Sequence, residues 1–253
     1  MATILSWNVN GLRAALKNGF LDWFHETQPG ILCLQETRLL PEEVPDEVRA
    51  PAGYQTFWHP AERRGYSGTA VLTRVEPHSV TALGAKDIDS EGRLQILEFD
   101  GFTLLNGYWP NSQSERARLP YKLRFCRALT RRANKLVRAG RNVVVCGDFN
   151  IAHEPIDLAR PRENENNAGY YIEERQAMGR FLKHGYIDTF RHFHPDAAEY
   201  TWWSYRTQAR KRNIGWRLDY HCVNEAFLPR VKRAWILGEV LGSDHCPVGI
   251  EIG

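Results

Sequence analysis

Long hydrophobic runs are absent. The longest unbroken aliphatic or aromatic stretches reach about four residues, as in Ile31–Leu34 and Val143–Cys146. A membrane helix needs roughly 18 or more, so no membrane anchor is expected. The first ten residues alternate like a strand directly after Met1, without the regions of a signal peptide, so secretion is not expected either. Cysteine is sparse: the five, at 33, 126, 146, 222 and 246, are odd in number and sit mostly in apolar stretches such as ILCLQ and VVVCGD. They form no disulfide framework and read as buried free thiols of a reducing, cytoplasmic compartment. A Cys/His pairing at zinc spacing, a glycine-rich nucleotide cradle and a serine in a nucleophile elbow are all missing. The sequence thus provides no zinc site and no P-loop, and it argues against acyl transfer. Charge of one sign is scarce too. The 33 Lys and Arg against 30 Asp and Glu leave +3, compatible with a polyanionic partner but too small to name one.

What is present is ordinary globular usage: 253 residues, 43% hydrophobic and 25% charged, enough to bury a sizeable core. No repeat, low-complexity stretch or linker interrupts it, so residues 1–253 are read as a single domain. The composition has one excess, eight tryptophans. Short apolar runs recur at Thr3–Trp7, Gly30–Leu34, Thr69–Leu72, Leu94–Phe99, Thr103–Leu105, Asn142–Cys146, Leu218–Val223 and Val248–Ile252, each suited to a strand. Helical periodicity covers roughly 13–26, 119–137 and 172–184. The second of these carries Leu119, Leu123, Cys126, Leu129, Ala133 and Leu136 on one stripe, among ten Lys/Arg between Arg116 and Arg141. Cations all round such a stripe read as a solvated outer face. Strands and helices without strict alternation predict an α/β sandwich rather than a doubly wound parallel sheet.

Several apolar runs end in polar groups that a strand end does not require. These are Asn8 and Asn10, Gln35–Glu36, Asn106 with Tyr108 and Asn111, Asp148 and Asn150, Asp219, and Asp244–His245. Any one alone is more often a cap or a turn. Six such ends converge on one rim if the strands lie side by side. Glu36, Asp148, Asp244, Asn8 and Asn150 offer hard oxygen ligands that suit Mg²⁺ or Mn²⁺. An acidic metal site in a mildly basic protein points to phosphodiester hydrolysis, in which a carboxylate orients or deprotonates water. Asp219 and His245 would form a pair, the acid holding the imidazole in its charged form beside a phosphate.

The motifs SWNVNGLRA (6–14), LQET (34–37), GYSG (65–68), EGR (91–93), NGYWPN (106–111), GDFNIAHEPIDL (147–158), NNAGYYIEER (166–175), YTWWSYRTQARKRNIGWRLDY (200–220) and GSDHCP (242–247) occur in this order. The chain resembles the exonuclease III-type apurinic/apyrimidinic endonucleases of the endonuclease/exonuclease/phosphatase superfamily, and the block at 200–220 is specific to their DNA-repair branch. That resemblance implies a four-layered α/β sandwich, two packed mixed β-sheets flanked by helices, of the deoxyribonuclease I-like kind. It implies a Mg²⁺-dependent monomer acting on double-stranded DNA with abasic sites, associated with the nucleoid through DNA if the host is prokaryotic. Cleavage would fall 5′ to the abasic site, leaving a 3′-hydroxyl and a 5′-deoxyribose phosphate, with 3′–5′ exonuclease and 3′-end-cleaning activities beside it.

Carried over by position, the resemblance makes Glu36 the principal metal ligand, with Asn8 and Asp244 in or near the metal site. Asp148 would orient and deprotonate water, and Asn150 would position water or phosphate. Tyr108 and His245 would stabilise the scissile phosphate, with Asp219 orienting His245; Tyr108 is the competing candidate for activator. Asn111, Asn167, Arg13 and Tyr66 match DNA-contacting positions. Trp202, Trp216 and Leu218 match a pocket for an extrahelical abasic sugar, where a flat apolar slot admits a sugar lacking its base and excludes a normal nucleotide. Five Lys/Arg without an acid at Arg206–Arg217 read as DNA-facing charge. The other reading of Trp202, Trp203 and Trp216 is a core one, which stands for Trp7, Trp23, Trp58, Trp109 and Trp235. The loops offer Arg206 as a group that can insert or stack, whereas Ser112–Gln113–Ser114 cannot act as a wedge. Two other functions stay open: a nucleic-acid-binding regulator that kept the fold and lost catalysis, and a superfamily phosphatase acting on inositol phosphates or sphingomyelin. Intact acids oppose the first, and the 202–218 block opposes the second.

Overall fold

The structure, a computed structural model, describes residues 2–253. The structure has strands β1 (Ala2–Asn8), β2 (Ile31–Gln35), β3 (Gln55–His59), β4 (Thr69–Thr73), β5 (Ser79–Thr81), β6 (Leu94–Phe99), β7 (Phe102–Tyr108), β8 (Val143–Asp148), β9 (Tyr186–Asp188), β10 (Asp219–Asn224), β11 (Val231–Ile236) and β12 (Val248–Ile252), of which the eight apolar runs supply all but β3, β5, β9 and β11. They make two six-stranded sheets, ordered β11-β12-β1-β2-β4-β3 and β5-β6-β7-β8-β10-β9. Both are mixed, since β1 with β2 and β7 with β8 run parallel while the other pairs are antiparallel.

Period-two alternation divides each strand between two interfaces. Ile4, Ile31, Cys33 and Val71 meet Leu97, Leu104, Val144, Cys146 and Val223 between the sheets. Their neighbours Leu5, Trp7, Leu32 and Leu34 face outward onto Leu12, Ala15, Phe20 and Phe24. Those residues lie on two helices, α1 (Leu12–Lys17) and α2 (Phe20–Thr27). The expected single helix over 13–26 is thus broken, because Gly19 takes a left-handed φ of 92° that stops one helix and caps the next. On the other side, α3 (Leu119–Arg138) and α4 (Ile172–Lys183) bury Phe125, Leu129, Ala133, Met178 and Phe181 against Ile96, Leu105, Val145 and Cys222. The result is the four-layered α/β sandwich expected from the sequence. All five cysteines are buried and free, and no helix among the described residues is long and apolar enough to cross a membrane.

The α3 helix is not simply a solvated face. Lys122 is buried at 0% exposure and pairs at 2.7 Å with Glu174 of α4, equally buried. The basic run Arg206–Arg217 is likewise less free than its composition suggests. Arg217 is internal, bonded to Asp157 and Asp188 at 2.8 Å each. Arg210 donates to the carbonyls of Gly238, Val240 and Ser243. Of that run, Arg206, Lys211 and Arg212 are exposed. The tryptophans divide as expected in part: Trp7 and Trp109 are fully covered, Trp23, Trp58 and Trp235 lie half-buried on the outer face, and Trp203 is buried as well.

Candidate active site

Strand polarity brings the polar ends together. Because β1 and β2 are parallel, Asn8 and Gln35 end them side by side. The parallel pair β7–β8 sets Tyr108 opposite Asp148, and antiparallel β10 begins with Asp219 opposite the same Asp148. Antiparallel β12 begins at the same rim, so Asp244 and His245 enter it from the preceding loop. Two facing glycines allow the β7–β8 approach. A Cβ on Gly147 would lie 1.8 Å from the Gly107 oxygen, and one on Gly107 would lie 2.4 Å from the Trp109 ring. Both positions therefore exclude any side chain, directly before Tyr108 and Asp148.

A cavity of about 380 Å³ opens on this rim, lined by Glu36, Tyr108, Asp148, Asp244 and His245 on one side and by Trp202, Trp216 and Leu218 on the other. Asn111, Asn150 and Asn167 also line it. Glu36, Asn150 and Asn10 hold left-handed φ values of 56°, 50° and 47°. Such backbone costs on the order of 1–3 kcal/mol per residue and concentrates where a side chain must be aimed.

Asp148 is the hub. Its Oδ2 accepts from Asn8 Nδ2 and Asn150 Nδ2, both at 2.9 Å, and its Oδ1 accepts from the Asn150 backbone N–H at 2.7 Å. The same Asn8 amide donates to Glu36 Oε2 at 3.1 Å. Beneath the cavity, His245 Nδ1 lies 2.8 Å from Asp219 Oδ2. Thr201 Oγ1 also donates to that oxygen, at 2.6 Å, while Asp219 Oδ1 is buried without a partner. His245 Nε2 faces Asp148 Oδ2 at 3.9 Å, too far for a direct hydrogen bond. Asp244 accepts from Trp202 Nε1 and Asn10 Nδ2, each at 2.9 Å, which ties the apolar wall to the acidic one.

Burial dominates the titration of this cluster. It pushes the Asp148 carboxyl up to about 7, a rise that the neighbouring His245 charge opposes and Asp219 reinforces. For His245 burial acts downward, but Asp219 and then Asp148 overcome it and hold the imidazole up to about 10. Burial, with the charges of Glu36 and Asp148, raises the Tyr108 phenol well above its ordinary range.

Two carboxylates sharing one amide donor, with Asp244 across the cavity, form a hard-oxygen set whose mutual repulsion a divalent cation would relieve. Asp148, Asp219 and His245 also lie close enough for their ligand atoms to surround an ion. In that grouping His245 is charged and engaged with Asp219, which makes it a poor ligand. The Glu36 side of Asp148 is the better fit. Asn8 stands differently from the expectation that it ligates: its amide nitrogen faces both acids while its Oδ1 accepts from the Asn10 backbone N–H at 2.9 Å.

Other expected residues lie outside the cavity. Arg13 is exposed on α1 and pairs with Glu43 at 3.3 Å. The Tyr66 hydroxyl turns into a network with Arg93, Arg118 and Glu91. Arg206 begins a short turn and is exposed. Between the sheets, Gln35 Nε2 donates to Ser6 Oγ and to Asn106 Oδ1. Two rim residues escaped sequence reasoning. Arg38 donates to Glu36 Oε1 and Asn10 Oδ1, both at 2.5 Å; its signal was a cation directly after LQET. Tyr205 holds its ring 71% exposed, and its signal was an aromatic inside a polar loop.

The chain is 43% identical over 252 residues to an exodeoxyribonuclease of Bacillus subtilis, covering 98% of both chains. Its fold is similar to that of an AP endonuclease from Archaeoglobus fulgidus, with TM-score 0.89 and 29% identity over 100% of this chain and 99% of that one. It is equally similar, at TM-score 0.89 and 28% identity over 100% of both, to a Neisseria 3′ phosphatase bound to a product DNA hairpin. The family model for the Endonuclease/Exonuclease/phosphatase family matches residues 5–245, and the chain belongs to that family.

Proposed function

We propose that residues 1–253 form one catalytic domain, a monomeric Mg²⁺-dependent DNA-repair nuclease. It incises the backbone 5′ to abasic sites, leaving a 3′-hydroxyl and a 5′-deoxyribose phosphate, and also trims and cleans 3′ ends. The observation that carries this reading is the shared cavity, in which an apolar wall of Trp202, Trp216 and Leu218 adjoins the acids and His245. The two indoles meet edge to face at 88° with centroids 6.1 Å apart, and they rest on Ala152, Leu158 and Tyr170. Such a slot suits a sugar without a base, and selectivity then comes from shape. Intact acids around Asp148 favour the enzyme over a regulator that only binds.

Mg²⁺, or Mn²⁺ in its place, held by Glu36 with Asp148 and Asp244 nearby, would neutralise the phosphate and the leaving oxygen. Asp148 accepts the proton of the attacking water, since burial makes it a better base than an ordinary aspartate. Asn8 and Asn150 hold its oxygens, and Asn150 and Asn111, 3.3 Å apart, face the phosphate. His245, kept charged by Asp219, donates to a non-bridging phosphate oxygen in the gap before Asp148. Tyr108 holds its proton too tightly to act as a base, so its hydroxyl donates instead. Asn167 and Arg206 contact the DNA on either side, and Arg13 and Tyr66 support it further along the backbone.

A duplex bearing one tetrahydrofuran abasic analogue tests the reading. We expect one incision 5′ to the analogue with Mg²⁺ or Mn²⁺, none with chelator, and no internal cut in the undamaged duplex. Binding without incision under every metal condition would move the chain to the regulator class.

The pH profile of kcat/KM is expected to be bell-shaped. It should rise as Asp148 loses its proton, at or below about 7, because a bound cation favours the ionised acid. It should fall as His245 deprotonates near 10. Asp219→Asn removes the largest upward pull on His245, so the alkaline limb should move down by more than one pH unit. An alkaline limb that stays in place would detach it from His245. In the folding equilibrium, the raised His245 pKa gives stability that is complete below its ordinary value, about 6.5, and lost as pH climbs through the folded one.

A further inference from the structure

On the outer helical layer, α3 and α4 enclose a groove of about 280 Å³ lined by Leu123, Cys126, Ala177 and Phe181, with Arg127, Arg131 and Arg180 along its edges. It shares no residue with the catalytic cavity. The α4 helix touches that cavity's supports with its first turn, through Glu174, and contributes to the groove only from Ala177 onward.

Charge sets this groove apart. The 20 residues of α3 include no Asp or Glu, and of the two acids of α4, Glu174 is committed to Lys122 while Glu173 lies 3.4 Å from Arg116 and keeps its Oε2 without a partner. Among the described residues, none of Arg127, Arg131, Lys135, Arg180 and Lys183 forms an ion pair, and Arg132 keeps a buried Nε without an acceptor. Cations near a helix C-terminus stabilise the helix dipole, which accounts for Lys135, Arg180 and Lys183. Arg127 and Arg131 lie about two turns or more from the end of α3, beyond the reach of that effect. The helix dipole therefore does not account for their accumulation without counter-charge.

We propose that this groove docks an acidic amphipathic helix of a partner protein. Apolar side chains on one face of that helix would enter the notch between Leu123 and Phe181, while flanking carboxylates take bidentate bonds from Arg127, Arg131 and Arg180. The concave apolar floor favours a peptide over a nucleic acid, whose outward phosphates carry nothing to fill it. At about 280 Å³ the notch has room for a pair of aliphatic side chains. Docking here leaves the DNA-facing rim open, so the partner would recruit the nuclease without blocking it.

The test uses the full chain and a short fluorescein-labelled helical peptide with leucines at i, i+3, i+4 and i+7 and glutamates on the flanks, read by fluorescence anisotropy. Arg131→Glu with Arg180→Glu is expected to weaken binding by about ten-fold or more, with the melting temperature and the cutting of abasic duplex unchanged. Replacing the peptide's leucines by serine should weaken it comparably. Arg127→Ala with Arg131→Ala gives the same readout if charge reversal disturbs folding. The proposal is overturned if the variants bind the peptide like the parent, or if the serine peptide or inorganic polyphosphate binds as tightly as the leucine peptide. It is overturned equally if abasic DNA affinity falls together with peptide affinity, which would make the groove part of the nucleic-acid surface.

Discussion

Asp148→Asn is expected to lower kcat on the order of 10³-fold on a tetrahydrofuran duplex with Mg²⁺, the usual range for loss of a positioned general base. Binding of the same DNA should be unimpaired or tighter, because a carboxylate beside the phosphate has gone. The fold should tolerate the change. Asp148 accepts three hydrogen bonds, two from Asn150 and one from Asn8, and an asparagine oxygen retains part of them. The amide facing the Asn8 or Asn150 donors costs on the order of 1 kcal/mol. Against that, a carboxyl that burial pushes up to about 7 is itself a destabilising charge at higher pH, so its removal offsets the loss. Melting within a few degrees of the parent is the expected result, and it separates a chemical defect from a structural one.

This variant also decides between the two candidate activators. Tyr108 and Asp148 sit opposite each other in register, so either could reach a water between them. Their surroundings suit them to different roles: burial brings the Asp148 carboxyl up to about 7, near neutrality, and carries the Tyr108 phenol further above it. Tyr108→Phe should therefore cost less than Asp148→Asn, as loss of a donor to the phosphate. If Asp148→Asn keeps a tenth of parental kcat while Tyr108→Phe abolishes cleavage, the water-activating assignment belongs to the tyrosine.

Asp148 and its neighbours were legible because each flanks an apolar run, closing it in β1, β2, β7 and β8 and preceding it in the antiparallel β10 and β12, so that these ends meet at a common rim. The four strands that sequence periodicity missed were β3, β5, β9 and β11, and all four are sheet edges. An edge strand is half-covered, so polar residues interrupt it, as in Ser79–Thr81 or in Val231–Ile236 with exposed Lys232 and Arg233. The burial pattern that marks a central strand is not there to be read. Composition misled where charge pairs over long sequence separation. Arg217 looked like DNA-facing charge, yet Asp157 and Asp188 meet it inside the fold. Lys122 looked like solvent-facing charge for the same reason. Periodicity places a residue on a helix face but does not say what a distant segment brings against it.

The pair formed by Lys122 therefore carries the second large expectation, on stability. Glu174 Oε1 accepts from Lys122 Nζ at 2.7 Å and from Ser112 Oγ at 2.5 Å, and its Oε2 accepts from the Gly169 and Tyr171 backbone N–H groups. Lys122 Nζ donates in addition to the Asn150 carbonyl at 2.5 Å. One buried ion pair thus fastens together the segments that present Asn111, Asn150 and Asn167 to the cavity. Glu174→Gln leaves the ammonium without a counter-charge in a dry site and is expected to cost about 3–5 kcal/mol. For a chain of this size that is a fall of roughly 6–20 °C in melting temperature. Lys122→Met should cost a similar amount, because the carboxylate is then the stranded charge. The double variant, with no buried charge left, should be more stable than the sum of the two losses, giving a coupling of about 1–3 kcal/mol in a double-mutant cycle. Kinetically, loosened asparagines should raise KM for abasic duplex more than they lower kcat, since the acids around Asp148 keep their own bonds. Additive losses in the cycle, or a Lys122→Met variant that melts with the parent, would show that the pair does not fasten these segments.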